Sequence, residues 1–482
     1  MEKLKGLYPE PVFSCFEQIC GIPHGSYHID EISDYLKSFA ERRGFSCVQD
    51  KEKNILVRLA ATRGYEDEPV LILQGHMDMV AVHDDPAVDM TKHVLALDHD
   101  GEWVFAEHSS LGGDDGIAVA MMMALMEDPS IPHPALELLI TANEEVGMDG
   151  AVGLDASLLK GKRLLNLDSE DEGIFTVGCA GGTRVVAHMP LTVAKAPVNG
   201  KLFSIKLSGG AGGHSGQMID QGRANAIHQL GRILYELHKL CGACLVSMAG
   251  GTACNAIPGE AELALCLEDG EKAVAYLEDF RRVLKEEYRG KDEELTLDWS
   301  VSSEMPERLY DAECSGRLAA FLIAAPDGVQ AMSGDVKGLV ETSLNLGVLK
   351  IENDELTAFF ELRSMIGSAA AYLRDRVAAL ITAFGGRAEL SASYPEWSYR
   401  KDSPLRDKMQ KVYRRMYAGD AKVELIHAGL ECGVLAKKIE DFDAVSIGPE
   451  MQDIHSTRER LNIASVGRVW DYVLEVLKEK DD

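Results

Sequence analysis

Short apolar runs stop at, or shortly before, a side chain able to bind a metal ion at five places in this chain. Residues 70–73 lead into Gln74-Gly75-His76-Met77-Asp78, and 136–141 lead into Asn143-Glu144-Glu145. The run 164–167 stops on Asp168, and 444–447 shortly precede His455-Ser456. Asp114 lies in the loop Gly112-Gly113-Asp114-Asp115-Gly116, after the extended stretch 103–105. Runs this short and this apolar read as buried strands. In open α/β sheets, ligands bind beyond the carboxyl ends of the strands. Two imidazoles and three carboxylates gathered there form a donor set for two divalent cations.

Helical patterns separate the runs. Over 30–43, Ile32, Tyr35, Leu36 and Phe39 share one face, and an Ala/Met-rich helix is expected over 117–126, with a helical turn at 155–159. This is the rhythm of βα units around a mostly parallel sheet. The texture changes near residue 184. Strands are expected at 185–189, 202–207, 261–267, 356–363 and 388–393, with helices over 225–240, 271–287 and 369–384. Their order reads as two α+β halves with antiparallel sheets. Beyond 395 the α/β pattern resumes, with helices over 405–417 and 463–477. A chain of 482 residues is too long for one ordinary core. The expected organisation is an α/β catalytic domain over 1–183 and 396–482, interrupted by an inserted α+β lid domain over 184–395.

Composition narrows the partners. Asp and Glu number 78 against 49 Lys and Arg, a formal charge of -29, which argues against nucleic acid and anionic membranes. No apolar run approaches the ~20 residues of a membrane span. The first twenty residues lack a signal-peptide core. The ten cysteines read as scattered thiols without a disulfide framework, so a reducing, cytoplasmic setting is expected.

Each candidate has a plainer reading when taken alone. His76 and Asp78 are two apart, so on extended backbone they face the same way and the Asp78 carboxylate can accept the imidazole N–H. A solvated turn would carry the same residues. Asp114 lies where a helix begins, and the adjacent glycines let the backbone approach an ion closely. An ordinary N-cap would look alike. Two acids side by side, Glu144 and Glu145, are more often a surface pair. At a strand end they point in opposite directions, one toward a metal and one toward a water molecule. Asp168 and His455 gain weight from following predicted strands.

Taken together these segments resemble the M20 metallopeptidases, and most closely the aminoacyl-histidine (Xaa-His) dipeptidases. The likeness spans essentially the whole chain. It includes Gly212-Gly213-His214-Ser215-Gly216, Asn255-Ala256-Ile257-Pro258, Glu361-Leu362-Arg363-Ser364 and His427-Ala428-Gly429-Leu430-Glu431-Cys432-Gly433. The resemblance implies one cation on His76 and Asp168, a second on Glu145 and His455, and Asp114 shared. It makes Glu144 the general base and Asp78 the orienter of His76. It assigns substrate contacts to His214, Asn255, Arg363 and the Gly429 backbone, with His214 as donor to the oxyanion. It also implies a cis peptide between Asp114 and Asp115, hinge motion of the lid, and a homodimer through the inserted domain.

The implied activity is hydrolysis of unblocked dipeptides, Xaa-His and β-Ala-His types included, with two divalent ions. Zn²⁺ suits the donors best, and Co²⁺ or Mn²⁺ also fit. The alternatives are an N-acyl amino acid amidohydrolase on the same scaffold, or a binding protein that has kept the fold without the chemistry. The latter would be expected to lack a ligand or the base, and all of these positions are filled here.

Overall fold

The computed structural model describes residues 3–196, 200–334 and 336–481. The chain divides into two compact units. The first comprises residues up to Cys179, Trp397–Leu425 and Leu430 onward; the second comprises Ala180–Glu396 and Ile426–Gly429.

The first unit is built on an eight-stranded sheet. Its strand order is Ser46–Gln49, Ile55–Leu59, Leu136–Thr141, Leu71–His76, Arg163–Asn166, Asp443–Ser446, Ile174–Cys179 and Lys422–Ile426. The four central strands, from Leu136–Thr141 to Asp443–Ser446, run parallel. Their flanking partners run antiparallel. The central strands are covered on both faces, so nearly every side chain on them is buried. A smaller sheet holds Met451–Gln452, Arg460–Asn462, Trp103–Ala106 and Leu97–His99.

Helix Gly113–Glu127 is buried from Gly113 to Met126, which explains its lack of a polar face. It lies close against the His76 strand at Gly75. A Cβ on Gly75 would sit 2.7 Å from the Ala118 Cβ and collide with the Asp115 carboxylate, so only glycine lets the helix seat there. Pro404–Tyr417 and Ile463–Lys478 form near 405–417 and 463–477. The turn at 155–159 is a short 3₁₀ helix, Ala156–Leu158, capped by the Asp155 carboxylate.

The second unit has its own apolar core. The sequence pattern implies two separate antiparallel sheets; these do not form. The two strand groups join into one antiparallel sheet of nine described strands, where Cys244–Gly250 meets Val340–Glu352 at the pair Gly250 and Leu349. Neither of these strands is among those expected from the sequence. Helices Ala226–Cys241, Gly270–Glu287 and Gly367–Ala383 form where the periodicity placed them, and Ala312–Ala324 adds a fourth.

One cysteine pair departs from the expected scatter. Cys241-Gly242-Ala243-Cys244 is a CxxC, and both residues are free thiols. Burial raises both pKa values, with Asp269 adding to the rise at Cys241 and Asp311 at Cys244. That is the opposite of an activated thiol.

Candidate metal centre

His76 is the last residue of its strand. Glu144 and Glu145 follow the strand Leu136–Thr141 through Asn143, which adopts a left-handed conformation (φ 54°). Asp168 lies two residues past Arg163–Asn166. Asp114 and Asp115 interrupt the start of the helix Gly113–Glu127 with non-helical backbone angles, and the peptide between them is cis, as the resemblance implies. His455 does not follow the strand Asp443–Ser446 directly. The chain first enters the short strand Met451–Gln452, then turns through Asp453 and His455, both left-handed.

These side chains converge. Asp114 Oδ1 lies 3.1 Å from His76 Nε2, and its Oδ2 lies 3.1 Å from His455 Nε2. Asp168 Oδ1 is 3.6 Å from His76 Nε2. Glu145 Oε1 is 2.9 Å from His455 Nε2. Potential ligand atoms of His76, Asp114 and Asp168 lie within 4.8 Å of one another, as do those of Asp114, Glu145 and His455, and those of His76, Glu144 and Glu145.

Asp78 acts differently from the sequence expectation. The His76 Nδ1 hydrogen bond goes to the backbone carbonyl of Asp78 at 2.9 Å, while the nearest carboxylate oxygen is 3.6 Å away. The carboxylate instead accepts from the backbone N–H groups of Glu144 (2.9 Å) and Glu145 (3.4 Å) and from Ser26 Oγ (2.8 Å). The local backbone turn brings the carbonyl to the ring and frees the side chain to reach the acidic pair. Asp78 thus ties His76 to Glu144 and Glu145.

Electrostatics at the centre are dominated by buried acid. Burial opposes protonation of His76, yet Asp168, Asp114 and Asp78 hold its pKa well above the ordinary value. Burial likewise opposes protonation of His455, but Asp114 and Glu145 push its pKa up to about 11. Burial would raise Asp114, but His455 and His76 hold it below the usual carboxylate range. Asp168 rises to about 6 through burial, with Asp114 and Glu145 adding to it. Glu144 is raised well above its usual value, first by burial and then by Asp168 and Glu145. Glu170 rises to about 7 through burial, Asp114 and Asp168.

The donor set fits divalent cations. Carboxylates outnumber imidazoles, and bound cations are the charges that invert such crowding. Glu145 Oε1 is buried and has no hydrogen-bond partner, since His455 Nε2 comes close without forming one. An acceptor left in that state carries a desolvation cost that a cation would remove.

Two further acids have no role assigned from the sequence. Glu459 Oε2 accepts from the N–H groups of Leu111 (2.8 Å) and Gly112 (3.1 Å), and its Oε1 from Gly113 (2.8 Å) and Asp114 (3.4 Å). It holds the loop that presents Asp114. Glu431 sits buried below the centre, bonded to Gln74 and Thr141. The available signal was polar residues, Gln74, Thr141 and Asn166, within or at the end of apolar runs.

The candidate substrate residues His214, Asn255, Arg363 and Gly429 all belong to the second unit. His214 pairs with Ala256 across an isolated bridge, and the Ser215 N–H donates to the Asn255 carbonyl at 2.8 Å. Arg363 is buried; one terminal nitrogen donates to Tyr394 Oη at 2.6 Å, and its Nε has no partner. A Cβ on Gly216 would lie 3.2 Å from that Nε and 3.0 Å from His214 Cε1, so both side chains flank this glycine. Gly429 closes the segment Ile426–Gly429, which also carries the buried His427.

Known proteins resemble this chain over most of its length. Residues 205–292 match the peptidase dimerisation domain of the M20 peptidases. The cytosol non-specific dipeptidase of Escherichia coli (strain K12) is 36% identical over 99% of this chain and 99% of its own length. The crystal structure of aminoacylhistidine dipeptidase from Vibrio alginolyticus superposes with a TM-score of 0.88 at 33% identity, over 99% of this chain and 98% of that one. An aminopeptidase from Bacillus cereus shares the fold, with a TM-score of 0.62 at 15% identity and 98% of each chain covered. The chain belongs to the M20 family of peptidases.

Proposed function

We propose that this chain hydrolyses the peptide bond of unblocked dipeptides with the help of two divalent cations, and that it prefers Xaa-His substrates, β-Ala-His included. Membership of a peptidase family makes it a peptide-bond hydrolase. Two full-length relatives carry dipeptidase names, one described as non-specific and one as aminoacylhistidine dipeptidase. The observation that carries the two-cation reading is Asp114, whose two carboxylate oxygens face two different imidazoles at 3.1 Å each.

In this reading His76 and Asp168 hold one cation, Glu145 and His455 hold the other, and Asp114 serves both. Zn²⁺ is the first choice for imidazole and carboxylate donors, with Co²⁺ and Mn²⁺ as substitutes. When bound, such a pair polarises the scissile carbonyl and lowers the pKa of water. Glu144 takes the proton from the attacking water and returns a proton to the leaving amine. Asp78 orients His76 through its carbonyl and steadies Glu144 through its carboxylate. The Arg363 guanidinium receives the substrate's terminal carboxylate, a planar fork that matches a carboxylate with two parallel bonds. His214 donates to the developing oxyanion, and Asn255 and the Gly429 backbone contact the substrate.

A homodimer through the second unit is supported by the dimerisation-domain match. A cytoplasmic location is supported by the name of the Escherichia coli relative. Among the described residues, no helix is long and apolar enough to cross a membrane.

The test is a panel of Xaa-His, β-Ala-His, other unblocked dipeptides and N-acetyl amino acids, assayed with each cation restored to stripped protein. The highest kcat/KM is expected on Xaa-His. A higher value on the N-acyl substrates would replace the dipeptidase reading by the amidohydrolase one.

A further inference from the structure

A second layer of polar side chains lies beneath the candidate ligands, and one buried acid joins it. Alternate residues of a strand face the same way. Gln74 lies two before His76 on one strand, while Asn166 and Thr141 are the last residues of the strands that lead to Asp168 and Glu145. The strands of Gln74 and Asn166 are neighbours, and these two residues pair directly in register. Glu431, the first residue of helix Glu431–Lys438, is fully buried. Its Oε2 accepts from Gln74 Nε2 at 2.6 Å and from Thr141 Oγ1 at 2.6 Å. Gln74 Oε1 in turn accepts from Asn166 Nδ2 at 2.6 Å, and Asn166 Oδ1 accepts from the Asp168 N–H at 3.3 Å. The other Glu431 oxygen is buried with no hydrogen-bond partner. Every hydrogen bond of this carboxyl therefore goes to a strand that delivers a candidate ligand.

An acid is a costly choice at this place. Burying a carboxyl beneath several others is unfavourable, and packing alone would be met by an apolar side chain. What the carboxyl supplies is one acceptor shared by two strands, Leu71–His76 and Leu136–Thr141, with a third, Arg163–Asn166, reached through Gln74.

We infer that Glu431 is a positioning residue that fixes the spacing between the His76–Asp168 half and the Glu144–Glu145 half of the centre. It does so without touching substrate. The inference rests on the two-cation reading. Groups that orient ligands in this way change metal affinity or activity by ~10–100-fold when removed.

The test uses full-length protein stripped of metal, titrated calorimetrically with Zn²⁺ alone and then assayed on a dipeptide. Glu431→Leu keeps the packing but removes the acceptor. It should weaken Zn²⁺ binding and lower kcat at saturating metal, each by roughly tenfold or more, while KM stays within about twofold. Glu431→Gln can present a carbonyl oxygen to the same two donors and should recover most of both. Should Glu431→Leu fail to fold, Thr141→Val removes one of the two bonds and should show the same pattern more weakly. Wild-type Zn²⁺ affinity in Glu431→Leu, or in Thr141→Val if the former fails to fold, would overturn the inference. So would equal damage in Glu431→Gln, since charge rather than geometry would then be at work. A wild-type protein that binds fewer than two Zn²⁺ would instead defeat the two-cation reading itself.

Discussion

Asp114 Oδ2 lies 3.1 Å from His455 Nε2, although 341 positions separate the two residues in the chain. The other oxygen of the same carboxylate is equally close to His76. One side chain therefore sits between both halves of the centre. Asp114→Asn keeps the size and removes the second anionic oxygen. If two Zn²⁺ bind as proposed, the variant should hold at most one, and turnover should drop by at least about a hundredfold. Elemental analysis of dialysed protein beside steady-state kinetics checks both. Two tightly held ions in the variant would rule out a shared carboxylate.

Glu144 differs from Glu145 in what it faces. Glu145 lies against His455 and Asp114, whereas Glu144 is grouped with His76 and Glu145 alone. Glu144→Gln should leave the metal content unchanged and cut kcat by about 10²–10⁴-fold, the usual worth of a positioned base. Near-normal turnover would remove Glu144 from that role. Loss of metal would show it to be a ligand instead.

Glu459 makes a separate, structural prediction. Its carboxylate is the acceptor for the N–H groups of Leu111, Gly112 and Gly113. Glu459→Ala strands these donors in a buried loop. A loss on the order of 3 kcal/mol is expected, since each unsatisfied buried donor costs ~1–3 kcal/mol and the loop can relax in part. Urea denaturation measures it. A variant as stable as the wild type would mean that the loop holds Asp114 in place without this clamp.

The strands that carry His76, Glu145 and Asp168 were legible because a buried parallel strand is a continuous apolar run, and the ligand follows it. Helix Gly113–Glu127 was legible only in its middle, since Asp114 and Asp115 leave helical geometry at its start. The Asp78 contact is closer through its carbonyl than through the carboxylate that the spacing points to. Spacing tells which way a side chain points, but not whether the carbonyl of the same residue reaches the ring first. The roles of Glu459 and Glu431 are not legible, because their partners are backbone N–H groups in one case and residues hundreds of positions away in the other. The join between the two strand groups of the second unit rests on the pair Gly250 and Leu349, and no local pattern announces a pairing so distant in sequence.

His427 gives the chain a stability that depends on pH outside the metal centre. Its Nε2 bonds to Ser343 Oγ at 2.7 Å, and burial, then Arg363 and His214, lower its pKa from 6.5 to about 4. The folded protein therefore keeps this ring neutral down to about pH 4, while the unfolded chain protonates it below about 6.5. Between those values the unfolded state binds more protons, so stability must fall as pH falls through the window. Below about pH 4 both states are protonated and the loss stops growing. At ~1.36 kcal/mol per unit the full contribution is on the order of 3 kcal/mol. His427→Gln retains an amide for Ser343 and cannot titrate. Urea denaturation from pH 7 to 4 should show a stability profile flatter than the wild type by about that amount, the other titrating groups cancelling in the difference. Parallel profiles would mean that His427 takes up its proton in the folded protein as readily as in the unfolded chain.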